Sequence, residues 1–182
     1  MSGESDTTTA VGGLNGTVGW LVGGAVGGAA GGIAFGIVMW LVSPDVLTEA
    51  IPALFGLEPT AAVGWAINVA HGLVLGLVFG LLVTREFVLG VLAADVETDA
   101  LSRAGMTARL VGAGLVYGIA VWTVLPLLIL PIWIDAVGGS GAGFLTGAST
   151  SALLGHVLFG IVLGAVFAAT VDLRDRTAAD PF

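Results

Sequence analysis

Polar residues divide an otherwise apolar chain into four long runs, Thr17–Val42, Val63–Thr84, Ala108–Leu130 and Thr150–Val171. A bilayer core of about 30 Å takes roughly 20 helical residues, so each run is long enough to cross it. The apolar residues are continuous rather than alternating, which argues against barrel strands. In lipid each backbone N–H and C=O must be satisfied internally, which leaves the helix. The pattern predicts an all-α, integral membrane four-helix bundle made of two helical hairpins. These are residues 17–84 and 108–171, flanked by a tail at 1–16, a connecting loop at 85–107 and a tail at 172–182.

The arginines set the orientation. Arg85, Arg103 and Arg109 lie between the second and third runs or at their edge, and Arg174 and Arg176 follow the fourth. Neither Ser43–Ala62 nor Pro131–Ser149 contains a base. The positive-inside rule then places both termini and the central loop in the cytoplasm, with the chain in the cell membrane. The two outer loops are partly apolar, as in Ile51-Pro52-Ala53-Leu54-Phe55, and are expected to lie on the interface. Phe87–Leu101, apolar with Asp95, Glu97 and Asp99 interleaved, reads either as an interfacial helix or as a folded loop.

Composition narrows the class further. Apolar residues are 57% and charged residues 10% of 182, against about 25% charge in soluble domains. That excludes an ordinary soluble enzyme. Thirteen acids against five arginines, with no lysine, give a net charge of −8. Such acidic, lysine-free surfaces resemble those of proteins from salt-loving archaea, and they have no electrostatic grip on nucleic acid. Without cysteine there are no disulfides, no thiol catalysis and no cysteine-ligated metal clusters. Met1–Asp6 has no positive region, so no cleavable signal peptide is expected.

The two hairpins repeat one another. Phe35-Gly36-Ile37-Val38-Met39-Trp40-Leu41-Val42-Ser43-Pro44 recurs 82 residues later as Tyr117-Gly118-Ile119-Ala120-Val121-Trp122-Thr123-Val124-Leu125-Pro126. Gly32 and Gly114 extend the match, and Trp40/Trp122 and Pro44/Pro126 are its rarest letters. The segment around His71 resembles that around His156 at an offset of 84 or 85. An even number of spans per half makes the halves parallel, related by an axis along the membrane normal. Such an axis sets Trp40 level with Trp122, and His71 level with His156. The Trp-x-x-x-Pro segment predicts a kink or stop in each half, with Pro126 kinking the third helix and Pro131 ending it.

Glycines mark helix packing. Gly19, Gly23, Gly27 and Gly31 form one ridge along the first run, and Gly24, Gly28, Gly32 and Gly36 form another. Small residues at every fourth position let helix backbones approach closely. Two ridges exceed the need of one neighbour, so the first span is expected to contact two helices, and an oligomer seam is the functional alternative. Gly12, Gly13 and Gly16 are not followed by Gly-Lys-Ser/Thr, so no phosphate loop is read there, and no nucleotide-binding motif is present.

His71 and His156 are the only histidines, and both lie inside spans. Ionisable residues at membrane depth are functional candidates and usually face the bundle interior. Asn68 precedes His71 by three residues and shares its face, and Ser149 shares the face of His156. Three readings stay open. The imidazoles are neutral hydrogen-bonding groups between helices, with Asn68, Thr123 or each other as partners. Alternatively they line a path for a proton or small solute, or they ligate a b-type haem. A metal site from two histidines alone is not expected.

The halves, each with Phe/Tyr-Gly-x3-Trp-x3-Pro followed by a His and spaced glycines, look like small membrane proteins of haloarchaea. From about Gly32 to Ala168 they distantly resemble the YagU-like group. The resemblance implies a multi-pass membrane protein and no particular activity, cofactor or catalytic residue. Together these features predict a non-enzymatic accessory or self-associating subunit in the lipid bilayer, as a homo-oligomer or with a membrane partner. The alternatives are a solute or proton pathway formed by an oligomer, and a haem-binding electron-transfer subunit.

Overall fold

The computed structural model describes residues 17–85, 88, 99–136 and 150–171. The tails 1–16 and 172–182, most of Phe87–Leu101, and Ser149 lie outside the described residues. Four long helices dominate the fold: α1 (Thr17–Val42), α2 (Ala61–Val83), α3 (Asp99–Val124) and α4 (Thr150–Thr170). Each contains an apolar stretch long enough to cross a membrane. Their outer faces carry Val18, Leu41, Val116 and other large apolar side chains, which suits contact with lipid tails.

Local sequence explains most of the boundaries. Thr60 caps α2, its hydroxyl accepting from the Val63 N–H at 3.3 Å. Helix α3 begins at Asp99 rather than at Ala108. Hydropathy detects only the lipid-matched part of a helix, and Asp99–Thr107 is a polar extension of the same rod. Pro126 lies in a π-helical turn, Leu125–Ile129, in which the Leu130 N–H bonds to the Leu125 carbonyl. The expected stop at Pro131 is absent, because the chain continues as a short helix, Leu130–Ala136. Proline is tolerated there because the first turn of a helix has unbonded N–H positions to spare. After Pro44 the first half also forms a π-helical turn, Val46–Ala50, followed by Ile51–Ala53. Gly56, at φ 64°, closes that segment in the left-handed region that glycine adopts without strain.

The helices pack around a ring with three closed seams and one open one. Helix α1 lies along both α2 and α4, and α3 lies along α4, whereas α2 and α3 meet in only a few places. The α1 ridges account for the closed seams. A Cβ on Gly24 would sit 2.6 Å from the Gly76 carbonyl oxygen of α2, and one on Gly28 would sit 2.8 Å from the Gly76 Cα. On the other ridge, a Cβ at Gly27 would lie 3.0 Å from Leu163 of α4, and one at Gly31 would lie 2.8 Å from Phe159. Gly114 and Gly118 of α3 meet the Gly160 and His156 carbonyls of α4 in the same manner.

Two-fold symmetry between the halves would make the α1–α4 and α2–α3 seams equivalent, and they are not. Shifted by 82, the positions Gly23, Gly27 and Gly31 become Gly105, Arg109 and Ala113. Without a continuous ridge of small residues, α3 cannot approach α2 as α1 approaches α4. In the half of the bundle away from Ser43, the four helices share a core that includes Phe79, Leu110, Leu163 and Phe167. In the other half the open seam leaves a cavity.

Candidate functional site

The cavity has a volume of about 380 Å³ and is lined by α1, α2, α4 and the segments that follow α1 and α3. Helix α1 contributes Gly32 and Phe35, α2 contributes Asn68, His71 and Leu75, and α4 contributes His156 and Phe159. Leu125 and Pro126 close the α3 side. The roof comes from the segments after the Trp-x-x-x-Pro motifs: Leu54 and Phe55 from the first, Leu130 and Trp133 from the second. The Trp133 indole N–H donates to the Leu54 carbonyl at 3.1 Å, joining the two parts of the roof. Behind the lining residue Leu75, the Tyr117 hydroxyl donates to the Leu75 carbonyl at 2.8 Å and the Tyr117 ring lies 5.4 Å from that of Phe79. Tyr117 thus bridges the open seam beside the cavity.

Both in-span histidines line this one cavity. The His71 Nδ1 lies 2.9 Å from the Ile67 carbonyl oxygen, and the His156 Nδ1 lies 2.8 Å from that of Ala152. A carbonyl oxygen only accepts, so each Nδ1 is the protonated nitrogen. Each ring also rests against an aromatic neighbour. Phe35 meets His156 edge-on at 4.8 Å, and Phe55 lies 5.5 Å from His71. The Nε2 atoms have no hydrogen-bond partner among the described residues.

The interhelical partners expected for the histidines are not used. Asn68, 8% exposed, directs its amide nitrogen to the Gly32 carbonyl of α1 at 2.6 Å instead of toward His71. The Thr123 hydroxyl bonds to the Ile119 carbonyl of its own helix at 2.9 Å. For Thr123 and the two histidines the carbonyl one turn back is the partner nearest the side chain, and it satisfies these groups without any helix moving. Nor are the two histidines level. Gly72, beside His71, packs on Gly28 and Gly32, whereas Gly155, beside His156, packs on Phe35 and Met39. His71 therefore sits roughly one helical turn, about 5.4 Å, deeper along α1. Each hairpin sets its own register: Gly118 lies against His156, while its repeat counterpart Gly36 lies against Trp65 and Asn68.

The remaining candidates divide between packing and the cavity rim. Gly19, Gly23, Gly24, Gly27, Gly28, Gly31, Gly32 and Gly36 are all buried. Trp40 lies 6.5 Å from Trp65 near the roof, Trp122 is half-buried on α3, and Pro44 is exposed beyond the end of α1. Phe35, Phe55, Leu54 and Trp133 were not singled out as site residues from the sequence. The Phe35/Tyr117 match in the repeat was the available signal, since Phe35 lines the cavity and Tyr117 lies behind its lining residue Leu75.

Chemically, the cavity offers imidazole and amide groups in an otherwise apolar enclosure. Among the described residues no arginine or lysine lines it, so a haem would find axial ligands here but no cation for its propionates among them. Among the described residues no carboxylate lines it either, and no group of three metal-ligating side chains occurs. The fold and this cavity define a multi-pass α-helical membrane protein with a ligand-sized space between its helices. No family model, curated protein or solved structure matches the chain.

Proposed function

We propose that the chain is a non-enzymatic membrane protein that holds a small, largely apolar molecule in the cleft between α2 and α3. The observation that carries this reading is the convergence of His71, His156 and Asn68 on one cavity of about 380 Å³. That volume falls within the few hundred Å³ typical of small-molecule sites, which combine apolar walls with a few polar groups. Sideways entry from the bilayer is supported by the few places at which α2 and α3 meet. With both termini cytoplasmic, the Ser43 end lies outside and the cavity draws on the outer leaflet.

The test is to purify the chain in lipid nanodiscs, extract it with organic solvent and identify retained small molecules by mass spectrometry. Ile129→Trp places a large ring at the cavity wall, where Ile129 is 47% exposed and outside the helix seams. The wild type should retain a molecule that this variant loses at unchanged thermal stability. Equal retention by both proteins would reject the cavity as the site. Cysteine labelling checks the orientation: Glu58→Cys should react with an impermeant reagent on intact cells, and Arg85→Cys should not.

A further inference from the structure

We infer that the polar end of the molecule held in this cavity is a neutral hydroxyl group on an apolar body. The inference rests on the ligand-binding reading above and adds the chemistry of the ligand. Because Nδ1 of each histidine carries the hydrogen bonded to Ile67 or Ala152, the ring in its neutral form has Nε2 as its acceptor.

Asn68 adds a third acceptor. Only an amide nitrogen can donate to the Gly32 carbonyl, so the hydrogen bond itself identifies which end of the side chain is nitrogen. The amide oxygen and one N–H remain. Among the described residues no buried side-chain polar atom lacks a partner, so this oxygen is accessible, and the space Asn68 borders is the cavity. Three acceptors and a single N–H therefore belong to side chains that line one volume. A ligand group that both donates and accepts matches this set, and a hydroxyl does so without charge. An ammonium would donate but could not accept from the Asn68 N–H, and among the described residues no carboxylate lines the cavity to offset its desolvation. A carbonyl-only headgroup would set lone pair against lone pair at both imidazoles.

Two sources carry such a hydroxyl: a phenolic ring, or the glycerol end of a lipid. Three probes separate them in calorimetric titrations of the full chain in nanodiscs: octylphenol, its methyl ether octylanisole, and octyl glycerol ether. Octylphenol, octyl glycerol ether or both should bind about tenfold more tightly than octylanisole, the factor expected for one well-made hydrogen bond. The tighter of the two hydroxylated probes identifies the source. In His156→Leu that preference should shrink to within about threefold, while His156→Gln, which keeps an acceptor, should retain most of it. If His156→Leu does not fold, His71→Leu serves in its place, because His71 is exposed and its ring nitrogen bonds only to its own helix. Equal binding of octylanisole and both hydroxylated probes would overturn the hydroxyl assignment and leave the ligand-binding reading standing. Failure of all three probes to bind would overturn both.

Discussion

Helices α1 and α3 open the two halves of one repeat, share Gly-x3-Gly-x3-Trp-x3-Pro at a constant spacing, and pack differently. Each uses its shared glycines, Gly32 and Gly36 or Gly114 and Gly118, against the second helix of its own hairpin. Only α1 carries a further ridge, through which it also closes on α4. On α3 a Cβ added at Gly105 or Gly112 would meet nothing within 4 Å. A repeat can therefore conserve its hairpins while one of the two seams between them is lost. Where α1 joins α4 the bundle is solid. Where α3 faces α2 no such ridge draws the helices together, the Tyr117 hydroxyl ties them across the gap, and a cavity remains. The aromatic at the repeat position crosses between hairpins in both halves: Phe35 reaches His156, and Tyr117 reaches Phe79 and the Leu75 carbonyl.

This contrast breaks most readily at α1. Replacing Gly27 and Gly28 together by Leu obstructs both seams, where the obstacles include backbone atoms that cannot rotate away. Overpacking of this kind costs about 1–3 kcal/mol per site, so the double variant should lose at least about 2 kcal/mol in thermal or denaturant unfolding. Wild-type stability would show that the ridges do not hold the bundle together.

A single methyl group tests the same point more finely. Gly76→Ala would press on the Gly24 carbonyl and the Gly28 Cα, and should destabilise by about 1–3 kcal/mol. Gly105→Ala and Gly112→Ala on α3 meet open space and improve helix propensity, so each should be neutral or stabilising by up to about 1 kcal/mol. Melting curves for the three variants should separate by sign, and a common loss at all three would erase the distinction between α1 and α3.

The smallest effects are expected at the polar bridges. Tyr117→Phe removes the hydroxyl that spans the open seam, and Asn68→Leu removes the bond to the Gly32 carbonyl. Interhelical hydrogen bonds in membranes average about 0.6 kcal/mol, so each variant should cost on that order. For Tyr117→Phe the informative measurement is the distance between spin labels placed on α2 and α3. It should lengthen or broaden, because the Tyr117–Leu75 hydrogen bond ties α3 to α2 across that seam.

The number, length and helical state of the spans were legible in the sequence, because hydropathy and backbone satisfaction in lipid are local requirements. Glycine spacing by four defines a ridge on any α-helix, so the positions of the ridges were legible as well. The early start of α3 at Asp99 was not, because a helix leaving the bilayer carries no hydropathy signal. The continuation through Pro131 was hidden for a related reason: a proline in the first turn of a new helix looks the same in sequence as one that stops an old helix.

The site was legible only as a set of residue types. The sequence placed two imidazoles inside spans and an amide on the same face as one of them, since position along a helix determines depth and face. Whether Asn68 would meet His71 or the Gly32 carbonyl depended on how closely α1 approaches α2. That distance is set by glycine contacts between segments far apart in the chain. The difference in histidine depth likewise comes from the separate register of each hairpin, which repeat spacing does not encode. The cavity itself belongs to the tertiary structure alone. It exists because three seams close and the fourth does not, and because the segments after Pro44 and Pro126 bring Phe55 and Trp133 over the gap. The sequence by itself determined a helical membrane bundle and which side chains lie at membrane depth. Packing between distant segments decided which of them face a common space.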